Sequence, residues 1–413
     1  MLKRIFKTSI YSIASRFFIT STNLSIIYFI TKNLSQKELG IYGIAFFFFQ
    51  FFSSFSSMGM HIYIGKEIAS IRENKNQIIN VFNEFLKASF YGILSSGFII
   101  IVSIIFYKKI SIELLLVSFL SGFLLGFEKN LGGFLLGKEL MGYEAIVNSL
   151  EFIIVFFSLF FIFKSLFVSI LSIFILRIIA LLTGIFLRLV KLKDDIKLKF
   201  NDFNFKSFKE VKFYWFSSIS YLFFRQIDVF ILSFFFAKSV IGEYFLSIRI
   251  FLAIGILSEV ISLALTPFIS RVFNNKEKIS LNKFRNIIFI SSIAIGISLG
   301  FLLYFLKDFF ISIFNKSMIE NCSPYLSLLS IAIPFRFSIY ILGAFMSSSK
   351  YQNIRLYINI IGSILFVVSV VILVNFYSVN GAIYSKILTE IFLFFSYFYF
   401  VFFKLKQKNE QKN

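Results

Sequence analysis

The sequence predicts an all-α integral membrane protein of twelve transmembrane helices in two pseudo-symmetric lobes of six. Three observations predict it. Of 413 residues, 58 % are hydrophobic and 15 % charged, with a mean hydropathy of +0.85, more apolar surface than a soluble domain can hide. The apolar residues fall into runs about 20 residues long, the length that crosses a bilayer as a helix. The first and second halves of the chain also resemble each other in order.

The runs can be taken along the chain. Lys3, Arg4 and Lys7 precede the first, 8–31, and no small-residue cleavage site follows it, so it is expected to stay as an uncleaved span. The others are 41–60, 79–107, 112–136, 143–164, 166–190, 211–236, 240–267, 286–306, 323–347, 355–376 and 380–403. Each is long enough for a helix that satisfies its own backbone in lipid, and none shows the short alternating pattern of a barrel strand.

The net charge of +21 is spread in short clusters between the runs, a topology signal rather than a nucleic-acid one. With charges at helix ends counted in the adjoining loop, the termini and the even-numbered loops hold 27 Lys and Arg, the odd-numbered loops 8. Both termini are therefore expected in the cytoplasm, which needs an even span count. The longest connection, 191–212 (KLKDDIKLKFNDFNFKSFKEVK), divides the chain. The expected organisation is an N-terminal lobe over 1–190, a basic cytoplasmic linker over 191–212 that could lie as an amphipathic helix on the inner leaflet, and a C-terminal lobe with a short basic tail over 213–413.

The repeat is carried by three alignments. LSQKELGIYGIA (34–45) matches FAKSVIGEYFLS (236–247) at an offset of 202, pairing Gly40 with Gly242 and Tyr42 with Tyr244. AIVNSLEFIIVFF (145–157) matches LYINIIGSILFVV (356–368) at 211, pairing Asn148 with Asn359. SIFILRIIA (172–180) matches GAIYSKILT (381–389) at 209, pairing Arg177 with Lys386. Six is even, so both repeats enter the membrane in the same direction, and an axis along the membrane normal is expected to relate them with a cavity between.

Seven basic residues fall inside runs: Arg16, Lys87, Arg177, Arg225, Arg249, Arg336 and Lys386; the acids there are Glu84, Glu151, Asp228, Glu259 and Glu390. Glu128 and Lys129 lie near a cytoplasmic helix end. A charge at mid-bilayer costs about 2.5–3.5 kcal/mol, so seven would cost roughly 20 kcal/mol unless offset. Lys87 has Glu84 at i−3 and Lys386 has Glu390 at i+4, which suits local pairs; Arg225 and Asp228, at i and i+3, are either a local pair or cavity residues. Arg16, Arg177 and Arg249 have no acid within four residues, and Arg336 follows Pro334, which can open the backbone. A shared hydrated cavity lined by Arg16, Arg177, Arg225, Arg249, Arg336 and Lys386 accounts for the set. Asp228, Glu151, Glu259 and Glu390 are then ion-pair or coupling residues. Such a cavity suits an anion, above all phosphate or carboxylate, which the planar guanidinium binds through both oxygens.

Other features carry less. Gly122, Gly126, Gly133 and Gly137 have small-xxx-small spacing for close helix packing. Pro267 is expected to kink or end its helix, and His61 to be interfacial. The single Cys322 excludes an internal disulfide, and no metal site is expected.

LSQKELGIYGIAFFFFQFFSSFSSMGMHIYIGKEIAS, IDVFILSFFFAKSVIGEYFLSIRI with LTPFISRVF, and GAFMSSSKYQNIRLYINIIGSILFVVSVVILVNFYSVNGAIYSKILTE together resemble the Wzx-type lipid-linked oligosaccharide flippases. These belong to the multidrug/oligosaccharidyl-lipid/polysaccharide exporter superfamily. The resemblance implies a MATE-like exporter fold, alternating access and no enzymatic activity. It implies an undecaprenyl-pyrophosphate-linked sugar repeat as cargo for surface polysaccharide such as O-antigen or capsule. It places the chain in a bacterial inner membrane, with a polysaccharide polymerase and chain-length proteins as partners besides lipid, and no nucleic acid. Asp228, Gly242, Tyr244, Arg249, Gly40, Tyr42 and Pro267 match family positions. No cofactor is implied beyond a coupling ion, H+ or Na+, which stays open.

Two alternatives compete. A cation-coupled drug antiporter of the same superfamily usually carries an acid in its first helix, where this chain has Arg16 and Asn23. A membrane polymerase or ligase usually carries a large outer catalytic loop, whereas the longest one here, about 307–322, offers only Asp308 and Glu320.

Overall fold

In a bilayer the backbone can satisfy itself only locally, and the chain does so with helices throughout. A computed structural model describes residues 2–71, 75–163, 169–193, 208–273, 281–349 and 352–404. In chain order the helices are α1 (Leu2–Asn33), α2 (Gln36–Ser57), α3 (Met60–Ile71), α4 (Lys75–Phe106), α5 (Ile112–Gly137), α6 (Met141–Ile162), α7 (Ile170–Leu192), α8 (Phe208–Phe235), α9 (Lys238–Phe273), α10 (Leu281–Phe314), α11 (Ile319–Ser330), α12 (Ile333–Ser348), α13 (Gln352–Tyr377) and α14 (Val379–Tyr399). No strand occurs among the described residues.

Ten helical spans among these are long and apolar enough to cross a membrane; α11 and α12, which meet at 46°, count as an eleventh if taken together. The remaining expected run, 112–136, lies on α5. Each of the twelve runs thus finds a helix or a bent helix pair, and the protein is a multi-pass membrane protein. Residues 194–207, most of the basic linker, and the tail beyond residue 404 lie outside the described residues.

Three boundaries depart from the expectations. The run expected to end at residue 60 continues as α3 to Ile71 after a break at Met58 (φ 45°) and Gly59 (φ 66°). There Gly59 packs against the Tyr214 backbone, where a Cβ would come within 2.5 Å. The run 323–347 bends ahead of Pro334 in the first turn of α12, where a missing N–H is tolerated. Helix α9 does not end at Pro267; it runs on to Phe273.

Local signals start the helices. The Ser35 hydroxyl accepts from the Glu38 N–H at 3.3 Å while the Glu38 carboxylate accepts from the Ser35 N–H at 3.0 Å, a reciprocal cap on α2. The Ser111 hydroxyl caps α5 through Leu114 N–H, and Ser169 caps α7 through Ser172 N–H.

The described chain falls into two units by internal contact. The first comprises Ile10–Ser233 with Ala237–Gly242. Its interior helix is α2: 78 % of the apolar stretch of α2–α3 is buried, against 22 % for α4, whose Phe98 and Phe106 face outward. Helix α5 lies flat on α2 and α3, because its four spaced glycines admit backbone. A Cβ at Gly122 would lie 2.5 Å from Phe49 O, one at Gly126 2.6 Å from Ser56 Cβ, one at Gly133 2.6 Å from His61 O and one at Gly137 2.6 Å from Ile68 Cβ. The repeat-related Gly40 and Gly242 also meet here. Added Cβ atoms would run into the Lys238 and Gln36 carbonyl oxygens respectively, so the first turns of α2 and α9 touch backbone to backbone.

The second unit comprises the described residues of Glu243–Asn413 with Met1–Ser9 and Phe234–Phe236. Within it α13 packs along α14 and α10 along α12. Tyr244, Phe251, Phe337 and Tyr397 are buried there, while Phe305 and Phe376 face outward.

Candidate functional site

Hydrophobic residues at i, i+3, i+4 and i+7 spacing give α7 one buried face, running through Ile170, Phe174, Leu181 and Ile185. Two arginines interrupt that face. Arg177 and Arg188 are eleven residues apart, three helical turns, and therefore point the same way about 16 Å from each other. Both are buried, and they meet opposite surroundings.

Arg177 reaches α1 and α2. Its Nη1 donates to the Tyr42 hydroxyl at 3.1 Å and its Nη2 to the Asn23 side-chain oxygen. The guanidinium carbon lies over the rings of Phe49, at 4.4 Å, and Phe46, at 5.2 Å. No described carboxylate lies within ion-pair distance. A positive charge is thus held by neutral oxygens and ring faces, with no described carboxylate beside it.

Arg188 is enclosed by acids. Its Nη1 lies 2.9 Å from Glu128 Oε1 and 2.8 Å from Glu151 Oε1. Its Nη2 and Nε each reach Glu144, at 2.8 and 2.9 Å, and Nη2 also donates to Asn148 Oδ1 at 2.9 Å. Asn148 in turn donates to the Ser15 hydroxyl of α1 at 2.6 Å. Sequence reading named Glu151 as an ion-pair or coupling residue and noted Glu128 and Lys129, but it left out Arg188 and Glu144, because charges near a helix end count with the adjoining loop. A signal was present: Glu144, Asn148 and Glu151 recur at i, i+4 and i+7, one polar stripe on an otherwise apolar α6, with no basic residue among them.

The remaining expected cations divide between the units. In the first, Arg16 is half-buried on α1, and both it and Lys129 lie within electrostatic reach of His61. Lys129 donates to the Ser53 hydroxyl at 2.9 Å. Arg225 donates to the Tyr221 hydroxyl at 2.6 Å and lies 4.9 Å from that ring, one turn back on α8. Asp228 is fully buried, and its Oδ1 accepts the Val229 N–H at 2.9 Å. Lys87 pairs with Glu84 at 3.4 Å, the local pair its spacing predicts.

In the second unit, Arg336 donates to Glu390 Oε1 at 2.7 Å, a buried ion pair joining α12 to α14, and lies over Phe251 at 5.1 Å. Lys386, one turn before Glu390, is wholly buried with its Nζ 4.4 Å from the Phe366 ring centre. Arg249 is half-buried over Phe245 at 4.5 Å, and Glu259 is half-buried.

The repeat extends into this chemistry. Arg177 and Lys386, paired by sequence, are both buried cations resting on a phenylalanine. At the same offsets Arg188 corresponds to Tyr397 and Asn148 to Asn359, and the Tyr397 hydroxyl donates to Asn359 Oδ1 at 2.6 Å. The second half thus keeps the helix-to-asparagine bond with a neutral donor. The positions matching Glu144 and Glu151 hold Arg355 and Gly362.

The family described as "Polysaccharide biosynthesis protein" matches residues 5–273, and MatE matches residues 214–373. No curated protein sequence matches the chain. Among solved structures, the lipid II flippase MurJ in an inward closed conformation superposes with a TM-score of 0.70 at 18 % identity, covering 95 % of this chain and 87 % of that one. An inward-facing multidrug resistance MATE family transporter of the MOP superfamily gives 0.70 at 11 % identity, covering 95 % and 96 %. A MOP superfamily transporter from Pyrococcus furiosus gives 0.64 at 12 % identity, covering 97 % and 95 %. At these identities the likeness is one of fold, and that fold is the MATE-like exporter fold.

Proposed function

The chain belongs to the polysaccharide biosynthesis protein family, and from that membership we propose that it is a flippase. It carries a polyprenyl-diphosphate-linked oligosaccharide from the cytoplasmic to the outer leaflet, for assembly of a surface polysaccharide. The carrying observation is Arg177: a buried guanidinium with no described carboxylate, held by Asn23, Tyr42 and two ring faces.

Arginine's rigid fork suits a diphosphate, and in a low-dielectric setting an uncompensated cation attracts an anion far more strongly than in water. Asn23 and Tyr42 fix the guanidinium direction, so little rotamer entropy is lost on binding. The lipid tail stays in the bilayer while the headgroup crosses. The same charge repels organic cations, which weighs against a drug antiporter. The chain acts as a carrier rather than an enzyme, in a bacterial plasma membrane with both termini cytoplasmic. It works beside the polymerase and chain-length proteins that consume the flipped lipid.

The test is glycan export in a strain lacking its own flippase and complemented by this chain. Arg177→Ala should lower surface glycan about tenfold or more, the loss expected from one charged hydrogen-bonding group, with protein level in the membrane unchanged. Normal export by Arg177→Ala would overturn the proposal.

A further inference from the structure

The Arg188 centre holds more negative charge than its fold requires. Glu128 of α5, Glu144 and Glu151 of α6, Arg188 of α7 and the neighbouring Lys129 of α5 are three acids against two bases. One proton makes the group neutral. The geometry says where it belongs. Glu144 uses both oxygens on Arg188. Glu128 and Glu151 share the single Arg188 Nη1 through one oxygen each, at 2.9 and 2.8 Å, which brings their two carboxyls together on one donor. Glu128 Oε2 is buried and meets no donor among the described residues, in a side chain only 7 % exposed. Two carboxylates so placed can bond only through a proton on one of them.

We propose that the two carboxyls of Glu128 and Glu151 bind one exchangeable proton, making this the ion-binding site of the carrier. The repeat argues that the acids are there for more than packing, since the second half joins the matching helices through Tyr397 and Asn359 with no carboxylate at the positions of Glu144 and Glu151. A metal ion is a poorer fit, for no group of acids among the described residues is arranged to hold one. The charged and titratable groups around the site are few. Arg188 faces the pair from α7, Glu144 from α6 and Lys129 from α5. Helix α1 contributes the neutral Ser15 through Asn148, α2 the neutral Ser53 on Lys129. His61 of α3, Arg16 of α1 and Arg225 of α8 lie one step further out, around Lys129.

The inference deepens the flippase reading by naming its coupling ion, but the test does not depend on export. Full-length protein in lipid vesicles is taken from acidic to alkaline buffer while infrared difference spectra are recorded. The expected result is a protonated-carboxyl band of about one group per chain. It should be lost in Glu128→Gln and in Glu151→Gln, each of which leaves a single carboxylate on Arg188 Nη1 beside Glu144 on Nη2 and Nε, and kept in Glu84→Gln, which lies outside the cluster. Should one glutamine variant fail to fold, the other carries the same comparison. Absence of the band in the native protein, or its persistence undiminished in the glutamine variants, overturns the proposal. Normal export by Arg177→Ala would instead remove the flippase reading and leave the infrared result standing.

Discussion

Arg336 and Glu390 respond in opposite ways to losing one partner or both. They form a buried pair at 2.7 Å, and removing the arginine alone strands a carboxylate in a medium that cannot solvate it, at about 3–5 kcal/mol. Replacing both with apolar residues of similar size removes that penalty. Arg336→Met should therefore lower the melting temperature of the detergent-solubilised protein, and Arg336→Met with Glu390→Leu should recover most of the loss. An additive loss in the double variant would mean the pair is not the source. Arg177 offers no such rescue, because no described acid pairs with it. That difference was only half legible in the sequence. The absence of an acid within four residues marked Arg177 and the nearby Pro334 marked Arg336, but a partner 54 residues away on another helix is set by packing, which local spacing does not encode.

At the scale of elements, α5 depends on its glycines. Hydropathy located its run, and the spacing of Gly122, Gly126, Gly133 and Gly137 announced a packing face without saying which helix it meets. The break at Met58–Gly59 and the bend ahead of Pro334 were hidden because apolar residues continue through both, and hydropathy registers neither a left-handed backbone step nor a change of direction. Close approach makes the packing face testable. Gly133→Ala puts a methyl 2.6 Å from His61 O and 3.0 Å from its Cα, both backbone atoms that cannot swing away. Overpacking of this kind costs about 1–3 kcal/mol. A melting curve should show Gly133→Ala clearly destabilised, and Gly97→Ala, whose added methyl meets nothing within 4 Å, unchanged. Equal melting of the two variants would mean that α5 does not rest on α3 as described.

For the whole molecule, the direction of transport depends on topology, and topology rests on the asymmetry of basic residues between alternate loops, 27 against 8. A lysine or arginine left on the wrong side must be carried across the bilayer against the membrane potential, so each adds to the bias. The repeat makes the same demand independently, since six helices return the chain to its starting side and let the second half enter as the first did. Labelling can decide it. Cys322 is fully buried, so Cys322→Ala gives a silent background. On it, Lys109→Cys between α4 and α5 and Asn315→Cys after α10 should react with a membrane-impermeant maleimide in intact cells. Lys138→Cys between α5 and α6 should react only after the membrane is opened. The three positions straddle the proposed proton site and both repeats, so one reversed result would do more than move a loop. Lys138→Cys labelled from outside would place the basic connections, the termini and the entry side of the headgroup on the wrong face, and inward-to-outward flipping would lose its physical basis.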